Sequence, residues 1–279
     1  MKKYIITIIV LFTIILLSIG GYFAYSKAKT GTSNSLETLS QKAMSEIEYL
    51  NNEIIEIMNK LNNISYSNFD LINKEVDASE ASSENSTSSE NSIDSTVVEF
   101  NNILTGDRDK VDWSDAKGKI ENIYTTWTGV LMDLTTLNVN KDNLLKYNNL
   151  LDEIIIAMEQ KDKNTCLIKL ADLYNLLTLY VKDFSSDTQK ISVYTVKSNV
   201  LYAYATTRQD DWNKIGGYVT KAKQEFSNIM NNQINNASSI DTINKAYILI
   251  NELEEDCKNK NKNIFYINYV NLIQELNNI

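Results

Sequence analysis

Histidine is absent from this chain of 279 residues. Because the imidazole ring is the commonest general base and a frequent metal ligand, no Ser-His, Cys-His or imidazole–zinc arrangement can form. No Gly-rich phosphate loop follows a strand pattern either. We therefore expect no catalytic residue, no cofactor and no metal site, and we interpret the protein as a non-enzyme.

The densest group of potential cation ligands is an acidic cluster, Glu252, Glu254, Glu255 and Asp256. On a helix this spacing spreads the carboxylates around most of a turn instead of gathering them on one face. We therefore interpret the cluster as an exposed acidic segment. A glycan hydrolase that works with carboxylates alone is disfavoured, because no isolated acidic pair stands in an apolar setting.

Three glycines lie inside helical patterns, Gly118, Gly216 and Gly217. Each costs about 1 kcal/mol relative to Ala in a helix interior, so something should compensate. Close helix packing is the favoured explanation, and the approach of a ligand or partner to the backbone is the alternative.

Several tyrosines could form either an aromatic core or a recognition face. They are Tyr180, Tyr194, Tyr202, Tyr204 and Tyr218. The core is favoured, except that Tyr202 and Tyr204 cannot share one helix face, so one of them is expected at the surface. Together with the three glycines, these two are the candidate contacts for a partner or ligand.

The segments that carry these residues form an internal repeat. Asp112-Trp113 opens an apolar-periodic segment, and Asp211-Trp212 opens another 99 residues later, with a gapless register that ends at Ile279. Such self-similarity indicates two copies of one supersecondary unit. Each copy predicts three amphipathic helices, with Asp112, Asp211, Asp142 and Asp241 as N-caps. A further helix precedes each copy, at 188–208 and, in shorter form, at 97–104.

The two cysteines fall at matching apolar positions of this repeat. Cys166 aligns with Phe265, and Cys257 aligns with Met158. We favour two buried hydrophobic thiols over a disulfide between the copies, although the sequence leaves both open.

The N-terminus predicts a membrane anchor. Residues 4–25 carry no charge and match the roughly 20 residues of a spanning helix. Because this apolar run exceeds the ~7 to 15 residues of a signal-peptide core, we predict an uncleaved anchor over 1–29. The short basic N-terminus should remain cytoplasmic, so the protein is expected to be a single-pass protein of the cell membrane with its bulk extracytoplasmic.

A coiled-coil-like seam follows the anchor and predicts a long amphipathic helix over 30–73. Its members are Leu36, Ser40, Ala43, Ile47, Leu50, Ile54, Ile57, Leu61 and Ile64. The seam over 36–64 needs a partner, which is either the same helix in a second chain or, as we favour, a helix of the C-terminal region. Residues 74–96 are acidic and Ser-rich, and they predict a disordered loop because they have too little apolar surface to bury.

Composition narrows the class of protein further. A formal net charge of −9 argues against a nucleic-acid partner. The excess of Asn, Ile and Lys resembles proteins of AT-rich, Gram-positive bacteria. The Asp-Trp-x-x-Ala opening at Asp112, Trp113 and Ala116, behind a single N-terminal span, resembles small membrane-anchored helical proteins of clostridia, a resemblance that implies no activity.

These features predict an all-α fold with an N-terminal transmembrane helix, a long amphipathic helix and two tandem helical repeats, 97–184 and 185–279. The repeats should form a bundle or a short solenoid. We expect a non-enzymatic scaffold or protein-interaction module that binds an envelope protein. The alternative is an extracytoplasmic helical bundle that senses a ligand or binds a solute.

Overall fold

The computed structural model describes residues 32–64, 106–231 and 240–279. Within these ranges the chain forms eight α-helices and no strand, so the all-α prediction is confirmed. The helices are α1 (Thr32–Leu61), α2 (Trp113–Thr136), α3 (Lys141–Glu159), α4 (Lys163–Phe184), α5 (Thr188–Thr206), α6 (Trp212–Asn231), α7 (Ile240–Asn259) and α8 (Lys262–Asn277). A short 3-10 helix, Thr207–Gln209, follows α5.

The chain divides into two compact units, Met1–Gln41 and Lys42–Ile279. Of the first unit, the structure describes only the start of α1. No helix in the described ranges is both long and apolar enough to span a membrane. The predicted anchor at 4–25 and the predicted acidic loop at 74–96 lie outside the described residues.

The seam of α1 is buried from Ala43 onward. Ala43, Ile47, Leu50, Ile54, Ile57 and Leu61 are all fully buried, whereas Leu36 is 47% exposed. The helix ends at Leu61 because Asn63 takes a left-handed conformation, with φ of 48°. The remainder of the predicted helix, 65–73, lies outside the described residues. Between Ala43 and Leu61 the seam is therefore buried within the described part of the chain.

Helix α1 lies antiparallel to α2. The ammonium of Lys42 is 2.7 Å from the Asp133 carboxylate near one end, and Lys60 pairs with Asp115 near the other. Helix α5 packs against α6 in the same antiparallel sense. Helix α1 thus accompanies the first copy as α5 accompanies the second. The segment predicted for that place, 97–104, lies outside the described residues.

The two copies share their helix boundaries and their buried positions. Helices α6, α7 and α8 each begin 99 residues after α2, α3 and α4. In the first pair, Ala116, Ile120, Ile123, Trp127 and Val130 correspond to Ile215, Val219, Ala222, Phe226 and Ile229, and all ten are buried. The periodicity of the apolar residues produces this agreement, because it sets which face of each helix leaves water.

The turns repeat as well. Lys161 and Lys260 both adopt left-handed conformations, with φ of 56° and 54°, directly before α4 and α8. At the next position, Asp162 and Asn261 cap the following helix with a side-chain oxygen. A matching helix–turn–helix geometry therefore joins the last two helices of each copy.

The N-cap predictions hold at the first helix of each copy and fail at the second. The Asp112 carboxylate accepts hydrogen bonds from the backbone N–H of Ser114 and Asp115. Asp211 accepts one from the N–H of Lys214 at 3.1 Å. The prediction for Asp142 is wrong, because Asn140 caps α3 and Asp142 lies in its first turn.

The corresponding prediction for Asp241 is wrong for the same reason. Helix α7 already begins at Ile240, so Asp241 lies in its first turn. A carboxylate there still favours the helix, because it faces the positive end of the helix dipole.

Helix α5 is buried on nearly every side. It packs against α4, α6 and α8, and its buried residues cover all faces. Polar residues are among them: Ser192 donates to Glu225 and Ser198 donates to Asn175. Buried polar groups of this kind need partners, so α5 is the element whose polar residues are most informative about function.

Candidate functional site

The predicted glycine contacts lie on open surface. Gly118 and Gly217 occupy equivalent positions of α2 and α6, both are exposed, and a Cβ placed at either would meet no atom of the described residues within 4 Å. At Gly216 a Cβ would touch the Cβ of Cys257 at 3.8 Å, which is ordinary contact. The close-packing explanation is therefore wrong for Gly118 and Gly217.

The two candidate tyrosines lie in different environments. Tyr204 is fully buried, stacks on Tyr269 with ring centroids 4.0 Å apart, and donates to the carbonyl of Met58. Tyr202 is half-buried, stacks on Tyr218 at 5.1 Å, and donates to Asp172 at 2.8 Å. One is a core residue and the other a surface residue, as their spacing requires. The structure does not combine them with the glycines into one site.

The cysteines are buried and unreactive. Both Cys166 and Cys257 are free thiols in the structure. Burial raises the pKa of each to about 12, with nearby carboxylates adding to the effect. Because the thiolate is the nucleophilic form, neither residue is available for catalysis near neutral pH.

The acidic cluster is only partly exposed. Glu254 pairs with Lys223 at 2.6 Å, and Glu255 pairs with Lys258. Asp256 departs from the prediction, since it is buried and accepts a hydrogen bond from Asn268 at 2.8 Å. No group of three metal-ligating side chains occurs in the described part of the chain. The cluster therefore has structural partners of its own.

A cavity of about 400 Å³ lies between α1, α4, α5 and the end of α8. Its buried lining residues are Asn51, Tyr174, Val193, Tyr194, Lys197 and Leu276, and its exposed ones are Glu48, Asn52, Asp187 and Asn277. The lining combines polar and apolar side chains, and polar groups in a concave pocket can orient a small molecule.

Lys197 is the central residue of this cavity. Lys197 is only 9% exposed. Its Nζ donates a hydrogen bond to the Asn277 side-chain oxygen at 2.6 Å. None of the ion pairs among the described residues includes it, so no described carboxylate lies within 4.0 Å of its Nζ. Burial lowers the pKa of Lys197 to about 8, which Glu48 partly offsets. The cavity thus holds a buried cation without an anion in contact.

Two neutral groups on the cavity floor also lack partners. The hydroxyl of Tyr174 and the side-chain amide of Asn51 are buried, and neither has a described partner at ordinary hydrogen-bond distance and angle, although the Asn51 amide interacts more weakly with the Tyr194 hydroxyl. Burial raises the pKa of Tyr174 well above its ordinary value, so the hydroxyl keeps its proton and can donate. Buried polar atoms without partners are rare in folded proteins and call for an explanation.

The charged groups at the rim have partners already. Glu48 lies 3.4 Å from the ammonium of Lys190. Asp187 caps α5 by accepting from the backbone N–H of Lys190 at 2.9 Å. Lys190 therefore has a carboxylate in contact, whereas Lys197 has none among the described residues.

The sequence contained one signal for this site that its interpretation missed. Tyr174 occupies the position at which the second copy has Ile273, and both are buried in equivalent helices. Lys197 likewise is a charged residue among the buried residues of α5, next to buried Val196. A buried polar residue in a position where the repeat has an apolar one marks a departure from the shared packing scheme.

A second polar cluster lies where the copies meet, and it is fully engaged. Arg208 contacts the carboxylate of Asp109 at 2.8 Å, at equivalent positions of the two copies. Lys262 pairs with Asp210 at 2.8 Å. Lys163 donates to a backbone carbonyl. Of these contacts, only the pair of Arg208 and Asp109 joins the two copies, and the other two lie within one copy each.

No family model, curated protein or solved structure matches this chain. The resemblance to clostridial membrane proteins therefore remains an expectation, and any function has to be argued from the site itself.

Proposed function

We propose that this protein is a non-enzymatic, membrane-anchored helical bundle that binds a small-molecule ligand on the extracytoplasmic side. The observation that carries the proposal is the cavity around Lys197. A buried ammonium with no carboxylate in contact, beside two buried polar groups without partners, is costly unless a ligand engages them. The cavity volume also falls in the range of roughly 300 to 1,000 Å³ that is usual for ligand pockets.

The location in this proposal rests on the N-terminal sequence. Residues 4–25 form the anchor, and the basic residues before them stay in the cytoplasm, which leaves the bundle outside. A ligand-binding helical bundle on a single membrane span would be suited to a sensor or a solute-binding protein.

A thermal-shift screen of the full-length chain in detergent tests the binding function. A panel of metabolites, short peptides and metal salts should include compounds that raise Tm, because a ligand that binds the native state stabilises it by RT ln(1 + [L]/Kd). Asn52→Trp should abolish the shift by filling the rim of the cavity. Asn149→Trp, on an exposed face of α3, is the matched control and should preserve it.

The proposal fails if no compound raises Tm, or if Asn52→Trp leaves the shift unchanged. The second result would mean that binding occurs elsewhere on the protein.

A scaffold function is the second candidate, and the glycines favour it. Gly118 and Gly217 present bare backbone at equivalent positions, at a cost to the helices that no internal contact offsets. An envelope protein could then contact both copies in the same way. Capture of a partner by the full-length chain should be lost in a Gly118→Trp, Gly217→Trp double variant. It should persist in Gly129→Trp, where the glycine is equally open.

A further inference from the structure

We propose that the cavity of Lys197 binds a small monocarboxylate, whose carboxylate forms the ion pair that Lys197 lacks among the described residues. This inference rests on the proposed binding function and assigns a chemical class to its ligand. It follows from the charge of the cavity floor, from its hydrogen-bond donors and from its apolar lining.

The charge of the floor requires an anion. Lys197 is only 9% exposed as a residue, and no described carboxylate lies within 4.0 Å of its ammonium. Its one hydrogen bond among the described residues goes to the neutral side chain of Asn277. Isolated buried charges are strongly unfavourable, and a carboxylate in direct contact is the usual remedy. A cationic or purely apolar ligand would leave the ammonium unpaired.

The donors of the floor match a carboxylate. An ammonium has three N–H donors, so Lys197 retains two after its bond to Asn277. The Tyr174 hydroxyl supplies one more, and the Asn51 amide supplies two. An ionised carboxylate accepts only, through two oxygens with about four lone-pair directions. The donor set can therefore saturate a single carboxylate, with the Asn51 oxygen left for a donor elsewhere on the ligand.

The rim disfavours an anion of higher charge. Glu48 and Asp187 line the opening, and both are acidic. The ammonium of Lys190 pairs with Glu48, whereas Asp187 is contacted by the backbone N–H of Lys190, so the negative charge at the rim is only partly offset. A phosphate dianion would need more positive charge than one ammonium provides and would be repelled by the rim. A monocarboxylate carries a single negative charge, which the one ammonium of Lys197 can pair with directly.

The rest of the lining accommodates a short organic body. Val193, Leu276 and the ring of Tyr194 are buried in the wall. A volume of about 400 Å³ is that of a metabolite, well above the ~30 Å³ that one water molecule occupies. The ligand class is thus a small acid with an apolar or mixed body, held at its carboxylate end.

Calorimetric titration of the full-length chain tests the class. The probes are straight-chain monocarboxylates from acetate to hexanoate, lactate and the common amino acids. Each acid is compared with its primary amide, and inorganic phosphate is included. At least one acid should bind while its amide binds at least about 10-fold more weakly, because the amide lacks the charge that pairs with Lys197.

Three variants locate the interaction. Lys197→Met keeps the length of the side chain, removes the charge and should weaken binding of the acid by about 10- to 100-fold. Tyr174→Phe removes only the hydroxyl and should weaken it several-fold. Lys163→Met removes another buried ammonium, outside the cavity, and should leave binding unchanged. Because Tyr174→Phe loses no buried charge, it provides a test even if Lys197→Met does not fold.

The outcomes separate the ligand class from the binding function. Amides or phosphate could bind while carboxylates do not, with binding abolished by Asn52→Trp. That result would overturn the carboxylate class and leave the cavity as a binding site. If acids bind and neither Lys197→Met nor Tyr174→Phe weakens them, the assignment to this floor is overturned. If neither these probes nor the wider thermal-shift panel binds, the proposed function fails together with the inference.

Discussion

Replacing the open helical glycines should stabilise the protein. Gly118 lies within α2 and Gly217 within α6, and a Cβ at either position would meet nothing within 4 Å. Neither φ lies in the left-handed region that favours glycine, so an alanine fits the existing backbone. Gly118→Ala and Gly217→Ala therefore gain helix propensity without steric cost.

The expected gain is about 1 kcal/mol for each substitution, the difference between Gly and Ala in a helix interior. The two sites belong to different copies and have no neighbour in common within 4 Å, so the double variant should gain about 2 kcal/mol. For a domain of this size each kcal/mol corresponds to a rise in Tm of roughly 2 to 4 °C.

Equilibrium urea unfolding, followed by far-UV circular dichroism, measures these gains. Gly129→Ala, at a third open helical glycine, serves as a control for propensity alone and should give the same increment. A loss of stability at Gly118 or Gly217, with a gain at Gly129, would refute the reasoning, because it would mean that the backbone at those two sites is engaged within the chain.

The remaining predictions concern pH. Burial lowers the pKa of Lys163 to about 7 and that of Lys197 to about 8. Above those pH values the unfolded state binds more protons than the native state. The free energy of unfolding should therefore rise from about pH 7 toward pH 10. Above about pH 10 the free energy of unfolding should fall, because buried tyrosines have raised pKa values and ionise only on unfolding. Urea unfolding midpoints measured from about pH 6 to about pH 11 should therefore pass through a maximum. Midpoints that do not change with pH would contradict both the expected rise and the expected fall. Burial also raises the pKa of Asp256, so its protonated form favours the native state at acid pH and this contribution is lost as pH rises through the native pKa. Asp256→Asn should therefore be more stable than the wild type at pH 7, since Asn268 can still donate to the new amide oxygen. The difference in stability should shrink below about pH 4. A variant less stable than the wild type at pH 7 would show that the ionised Asp256 stabilises the native state.

The helical content and the buried faces were predictable because both are local properties. A period of 3.6 residues fixes which side chains share a face, so the stripes that begin at Ala116 and Ile215 could be identified without a partner helix. The same argument identified the seam of α1 from Ala43 onward. Caps were less predictable, since Asn140 and Asp142 are both good capping residues and only the exact helix start decides between them.

The role of the glycines could not be predicted from spacing alone. Propensity shows that Gly118 and Gly217 cost stability, but whether a neighbour fills the space above them depends on which helix lies opposite. The burial of Asp256 was missed for the same reason, because the partner Asn268 comes from α8 and not from the acidic segment itself.

The sequence by itself determined the secondary structure, because the periodicity of apolar residues acts over one or two helical turns. The duplication and the absence of histidine chemistry follow from the order and the kinds of residues alone. The tertiary structure alone decided that α1 accompanies the first copy and that Lys197, Tyr174 and Asn51 line one cavity. Asn51 lies more than 100 positions from Tyr174 and Lys197 along the chain, and only the packing of α1, α4 and α5 brings the three together. Side chains from distant helices meet because burying their apolar faces fixes the arrangement of the helices, and the polar residues among them are brought together by the same packing.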